Sequence, residues 1–412
     1  MPEFLRLLPP SEALDRLLAN LPTGQIPDQE ILPTSKALDR VLAASVIAPH
    51  PLPAFPRSTV DGYAVRAADT FGAGASLPAY LTLAGEIRMG ASASLTLQPG
   101  QAALVFTGGM LPERADAVVM LEDTQTAREG EIEVLKAAAV GQNALQVGED
   151  VQAGETVLES GTRLRPQEIG GLMALGVVEV PVVRRPKVAI LSTGDEVVPP
   201  EAEAGPGQVR DVNSYALSAL VERAGGHPVR YGILPDRYEA LLEAARRALV
   251  ECQAVVITAG SSVSTRDLTA QVIEALGEPG VLVHGVAIKP GKPTILAVAG
   301  GVPIVGLPGN PVSALVVAGL FVVPVIHRLL GERRAAATSR VTARLSVNIP
   351  SEAGREDYLP VHLENSPEGL VAEPVYGRSN LIFTLVRADG LMRIPPEATG
   401  LAAGTPVEVA LF

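Results

Sequence analysis

At 412 residues, with 47% hydrophobic and 19% charged residues, the chain is too long for one ordinary core and has the apolar surface for about two to four globular domains. Its net charge of −12 argues against general binding to nucleic acid or to an anionic membrane surface, so any anion must be gripped locally. The single cysteine, Cys252, excludes internal disulfides and thiolate zinc sites, reads as a small buried hydrophobe at a helix-to-strand turn, and fits a reducing cytoplasm.

In chain order, the first 44 residues carry two similar helical segments, 13–19 and 37–43, each with an amphipathic pattern. Met1-Pro2-Glu3-Phe4 opens no cationic-then-apolar signal. From about 45 to 182 the pattern is β-rich, with short alternating runs such as 102–107, 117–122 and 156–158 punctuated by Gly and Pro. Between 186 and 330, strands at 187–191, 228–233, 254–258, 281–284, 294–297 and 303–305 alternate with helices at 213–224, 237–249, 268–276 and 311–329. That alternation predicts a mostly parallel sheet with helices on its faces. The longest apolar run, 312–326, is broken by Ser313 and Pro324 and falls short of the ~20 residues a membrane helix needs, so it predicts a buried helix. Residues 338–412 alternate strands with Gly-containing turns, as a small β-domain or barrel does.

The polar oddities follow the carboxyl ends of the predicted strands: Ser192-Thr193-Gly194-Asp195-Glu196, Leu234-Pro235-Asp236, residues 259–267 and residues 306–313. In an open parallel sheet the ligand crevice lies outside those ends. Only five of the 33 basic residues are lysines, yet two stand three apart in Lys289-Pro290-Gly291-Lys292-Pro293. A compact ammonium suits a tetrahedral oxyanion or phosphate, so this loop reads as an anion site. Gly309-Asn310-Pro311 adds a helix start at which Asn310 can cap, leaving free N–H groups at the positive end. Asp195, Glu196, Asp236 and Asp267 beside the lysines suggest a magnesium–phosphate arrangement. Asp236 and Asp267 are also good helix N-caps. Asp61 and Thr107 fall in polar turns that spacing alone cannot tell from plain β-turns. The five histidines show no metal-ligand spacing, and no Walker motif, Gly-x-Ser-x-Gly elbow or dinucleotide fingerprint is present.

The ordered set Ser58–Val65, Thr107-Gly108-Gly109, Gly148-Glu149-Asp150, Ser192–Glu196, Asp211-Val212-Asn213, Lys289–Pro293 and Leu307–Ser313 resembles the molybdopterin molybdenumtransferases, the MoeA family, whose eukaryotic relatives include the E-domain of gephyrin. The resemblance runs nearly end to end. It implies an enzyme that takes adenylated molybdopterin and molybdate, uses a divalent cation such as Mg2+, and releases AMP with molybdenum bound at the pterin dithiolene. It implies a multidomain α/β plus β fold: an N-terminal helix (1–25) packing with a MoaB/Mog-like α/β domain (183–333), a stalk domain (26–48 and 145–182), an inserted β-rich domain (49–144) and a C-terminal β-barrel domain (334–412). By the same resemblance, Asp236 and Asp267 hold the metal with Glu196 near them. Lys289, Lys292, Pro293, Ser313, Arg355 and Ser379 contact molybdate, and Asp61, Thr107, Asp150, Thr193, Gly194, Asp195, Gly309 and Asn310 contact the pterin substrate. It further implies a cytoplasmic homodimer with a cleft shared between subunits, and a molybdopterin adenylyltransferase as partner. A pterin carrier, a gephyrin-like scaffold and the adenylation reaction itself are the alternatives. Two departures stand out: the loop 260–267 is shorter and poorer in glycine than in many members, and Leu145-Gln146-Val147 replaces the usual arginines.

Overall fold

The computed structural model describes residues 7–22, 28–259, 263–333 and 339–412, of which 259 and 263–267 are described by their backbone alone. Its helices are α1 (Pro10–Ala19), α2 (Pro166–Ala174), α3 (Asn213–Ala224), α4 (Tyr238–Glu251), α5 (Val263–Glu274), α6 (Pro311–Leu329) and the single turn α7 (Phe383–Val386).

The centre is a six-stranded sheet in the order His227–Leu234, Lys187–Thr193, Ala254–Ala259, Val302–Pro308, Ile295–Ala299, Pro279–His284. The first four strands are mutually parallel, and Ile295–Ala299 runs antiparallel to both neighbours. Successive side chains point to opposite faces of a strand. Val188 and Ile190 therefore pack with Leu17 of α1, Leu217 of α3 and Phe321 of α6 on one face. Ala189 and Leu191 pack with Leu241 of α4 and Val272 of α5 on the other. Covering on both faces explains why these strands read as continuous apolar runs. Helix α6 is the one described helix long and apolar enough to cross a membrane, but 56% of that stretch is buried and Val317, Phe321 and Val325 lie in the core.

Gln29–Pro33 pairs with Glu179–Val183, and Val46–Ile47 with Thr156–Leu158, around a core containing Leu42, Leu164 and Leu172. The second segment expected to be helical, 37–43, is not. Only a short 3-10 turn, Thr34–Lys36, precedes it, after which Val41 bridges Arg163 and Leu42 bridges Val182. Asp39 takes a left-handed φ of 60°, which ends helical continuation, and burial of Leu42 against the sheet overrides the local pattern. Strands Ala117–Met120, Gly62–Val65, Gln101–Val105, Ala79–Glu86, Glu131–Val134 and Thr124–Arg128 form a further six-stranded sheet. At the C-terminus Glu356–Ser366, Gly369–Pro374, Arg340–Leu345, Pro406–Leu411 and Gly390–Ile394 pair in sequence, and the last returns to the first, closing a barrel.

Two ties join these parts. Arg163 donates to both oxygens of Glu332 at 2.9 Å, and Glu332, 2% exposed at its side chain, sits just beyond α6. The two-residue strand Ile288–Lys289 leaves the α/β domain to pair parallel with Glu356–Asp357 of the barrel.

Candidate functional site

The strands Lys187–Thr193, His227–Leu234, Ala254–Ala259, Val302–Pro308 and Pro279–His284 all point their carboxyl ends at one rim of the sheet. At one end of that rim Gly194 turns with a φ of 144°, and a Cβ there would stand 2.9 Å from Glu196 Oε2. Asp195 and Glu196 are exposed, and Asp195 Oδ1 accepts the Asp236 N–H at 3.2 Å. Thr193 is buried beneath them. Asp236 Oδ1 is buried and has no hydrogen-bond partner among the described residues. Desolvation holds the Asp236 carboxyl above its ordinary pKa, and the negative charges of Asp195 and Glu196 push the same way against a hydrogen bond with Thr193. Asp236 does not cap α4 by its side chain, because Arg237 occupies the N-cap position with no side-chain bond. The Asp267 side chain lies outside the described residues. Among the described residues no three His, Cys, Asp or Glu side chains group closely enough to hold a metal.

At the other end of the rim lies the lysine loop. Lys289 and Lys292 are exposed, and among the described residues neither ammonium has a carboxylate within 4.0 Å. Gly291 makes the loop fit: its φ is 117°, and a Cβ would stand 2.4 Å from Val317 Cγ2 on α6. The loop closes on itself through Val286 N–H to Lys292 C=O at 3.0 Å and Thr294 Oγ1 to Gly291 C=O at 2.6 Å. Pro293 is half-buried between them. Because Lys289 pairs with Asp357, the loop lies beside Arg355, whose Nε donates to Asp357 Oδ1 at 2.9 Å.

Asn310 does not cap α6. Its Nδ2 donates to Ser379 Oγ at 2.9 Å, and the Val312 N–H, which a capping side chain or an anion could have taken, goes to the Ser379 carbonyl at 3.0 Å. Ser313 is 4% exposed on the first turn. The Gly309 carbonyl accepts from Asn213 Nδ2 at 2.8 Å, and Asp211 caps the first turn of α3 through the Ser214 N–H at 3.0 Å. The barrel thus reaches the α/β domain at two points, with Asp357 and Arg355 beside Lys289 and with Ser379 against Asn310. Asp357, 3% exposed, falls in the sequence stretch Arg355-Glu356-Asp357-Tyr358, which spacing alone cannot tell from a plain β-turn and which points to no role for Asp357 itself.

Asp61 and Thr107 do meet: the Thr107 N–H and Oγ1 each donate to Asp61 Oδ1 at 2.8 Å. The Thr107 backbone bond, then its hydroxyl, holds this exposed carboxyl below its ordinary pKa. Asp150 is exposed, its N–H donating to Leu52 C=O at 3.0 Å. Among the described residues no hydrogen bond or ion pair connects Asp61, Thr107 or Asp150 with the rim or the barrel.

Three family models match successive parts of the chain: "MoeA N-terminal region (domain I and II)" over 8–176, "Probable molybdopterin binding domain" over 189–328, and "MoeA C-terminal region (domain IV)" over 342–412. A molybdopterin molybdenumtransferase of Nostoc sp. is 35% identical over 93% of this chain and 88% of its own length. A molybdopterin molybdenumtransferase 2 of Mycobacterium tuberculosis is 34% identical over 88% and 90%. A crystal structure of the molybdopterin biosynthesis protein moeA of Pyrococcus horikoshii superposes with a TM-score of 0.85 at 34% identity, covering 99% of this chain and 100% of that one.

Proposed function

The chain belongs to the MoeA family of molybdopterin molybdenumtransferases, transferases of molybdenum cofactor biosynthesis, and on that premise we propose how its two-ended rim is used. Adenylated molybdopterin lies along the rim with its pyrophosphate toward Asp195, Glu196 and Asp236. Molybdate is held at the seam between the lysine loop, with Lys289 and Lys292, and the barrel, with Arg355 and Ser379.

The observation that carries this reading is the separation of the two ends. Asp236 follows one edge strand of the central sheet and the lysine loop follows the other, with four strands between them. At about 4.8 Å per strand this is on the order of 20 Å. One tetrahedral anion cannot touch both ends, whereas an extended pterin nucleotide with a second, small anion can. The lysines, Arg355 and the Ser379 hydroxyl suit a tetrahedral dianion, since they supply positive charge and donors without a nearby neutralising carboxylate on either lysine. Their contribution is positioning and charge neutralisation of molybdate against the bound pterin.

The orphaned, buried Asp236 Oδ1 beside two further carboxylates fits a hard cation, and Mg2+ commonly uses only one or two carboxylates with water completing its shell. Asp236, with Asp195 or Glu196 and by family resemblance Asp267, would hold it. Bound there, the ion supplies neutralisation of pyrophosphate charge. Because no hydrogen bond or ion pair among the described residues links Asp61, Thr107 or Asp150 with the rim of their own chain, we assign them to a cleft completed by a second subunit. An adenylyltransferase delivering the substrate, and a cytoplasmic location fitting the buried free thiol of Cys252, belong to the same reading.

Mixing Asp61→Asn and Lys292→Ala, at a molybdate concentration low enough that each alone is inactive, tests the shared cleft together with the activity. Hybrid dimers recover one intact site, so molybdate-dependent AMP release should return on mixing; if the mixture stays as inactive as its parts, the cleft is not shared.

A further inference from the structure

We propose that Asp357 is the positioning residue for molybdate recognition: buried below the seam, it fixes Arg355 at Nε, leaving the Nη groups to an anion that displaces the exposed Glu352. This rests on the reading of the seam as the molybdate end.

Asp357 is 3% exposed and cannot itself meet a ligand arriving from solvent. Its two oxygens are used separately. Oδ2 accepts from Ser351 Oγ at 3.0 Å, and Oδ1 accepts from Arg355 Nε at 2.9 Å. Residues alternate faces along a strand. The neighbouring Glu356 accordingly turns elsewhere, accepting from Tyr358 Oη at 2.7 Å and lying 3.5 Å from Arg393, so Asp357 is the buried carboxylate that anchors Arg355. The same residue stands in register with Lys289, and the Glu356 N–H donates to Ala287 C=O at 2.9 Å, which ties the lysine strand to this point of the barrel.

Gripped at Nε, Arg355 presents its Nη edge outward. There Nη1 meets Glu352 Oε2 at 2.6 Å, but Glu352 is 71% exposed at its side chain and the pair is a weak surface one. A tetrahedral dianion held also by the lysines displaces that carboxylate. Glu352 therefore occupies the anion position in competition with the substrate, while Asp357 keeps the guanidinium from following it away.

The test is molybdate binding by calorimetry, with kcat and KM for molybdate and for adenylated molybdopterin, in Asp357→Asn, Glu352→Gln, Arg355→Lys and the Asp357→Asn/Arg355→Lys double variant. Loss of a charged hydrogen-bond anchor should weaken molybdate binding and raise its KM on the order of tenfold in Asp357→Asn, with the pterin KM unmoved. Glu352→Gln should lower the molybdate KM. The double variant should be no worse than Arg355→Lys, because Asp357 acts through that arginine. A fall in kcat with molybdate KM unchanged, or additive effects in the double variant, would overturn the proposal. If Asp357→Asn does not fold, Ser351→Ala, which keeps the carboxylate but frees one oxygen, should show the same molybdate-only shift at smaller size, and an unchanged molybdate KM there overturns it equally. A wild-type protein that releases AMP without regard to molybdate removes the reading of the seam itself, an outcome separate from failure of the Asp357 assignment.

Discussion

Asn310 and Ser379 meet across a domain boundary, the Asn310 amide donating to the Ser379 hydroxyl at 2.9 Å while the Ser379 carbonyl takes the Val312 N–H at 3.0 Å. The first turn of α6 is therefore completed by the barrel. With one lone pair of Ser379 occupied by Asn310, its own proton is left to donate elsewhere, as the proposed molybdate site requires. Asn310→Ala should cost about 1 kcal/mol of stability and raise the molybdate KM more than the pterin KM. Equal changes in both constants would mean that the contact serves folding alone.

Asp236 links stability to pH, and under the proposed cation site to metal as well. Folding raises this carboxyl's pKa, so between its unfolded value of about 3.9 and the higher folded value the native state holds the extra proton. Stability thus falls as pH rises through that window, and the penalty persists at neutral pH. Asp236→Asn should melt higher than the wild type near neutral pH in chelator, with the difference vanishing in acid. Added Mg2+ should stabilise the wild type and leave the variant unmoved. A variant that melts lower in chelator, or an equal response to Mg2+, contradicts the cation assignment.

The Arg163–Glu332 pair fastens the segment before α2 to the end of α6, with Arg163 also donating to Ala224 C=O at 3.2 Å and Asp39 C=O at 3.0 Å. Glu332→Ala leaves a largely buried guanidinium without its carboxylate, which should cost about 3–5 kcal/mol in denaturant unfolding. A loss within the range of an exposed pair, about 0–1 kcal/mol, would show that this junction contributes little.

Gly291 admits no side chain without moving the lysine loop off α6. Gly291→Ala should combine about 1–3 kcal/mol of backbone strain with a displaced Lys289, visible as weaker molybdate binding. Wild-type molybdate affinity in that variant would mean the loop's conformation does not matter for the anion.

Much of the architecture was legible where local pattern and burial agree. The strands near 187–191 and 254–258 were readable because both faces are covered, and α6 because Ser313 and Pro324 interrupt an apolar run whose residues pack inward. The rim loops could be found because each follows such a strand directly. What sequence could not reveal depends on partners distant along the chain. Residues 37–43 have a helical pattern, yet pair with Arg163 and Val182. Asn310 looks like a cap until Ser379, 69 residues on, takes its amide. Nothing local in Lys289 announces a strand that joins the barrel, and nothing local marks Asp357 as its anchor.

The most direct measurement is AMP release from adenylated molybdopterin in Mg2+, with and without molybdate, by the wild type, Asp236→Asn and Lys292→Ala. Molybdate-dependent AMP is expected from the wild type, with loss in Asp236→Asn at any molybdate concentration and partial recovery of Lys292→Ala at high molybdate. AMP release that ignores molybdate, or a Lys292→Ala variant indistinguishable from wild type across the molybdate range, would contradict the proposed use of the rim.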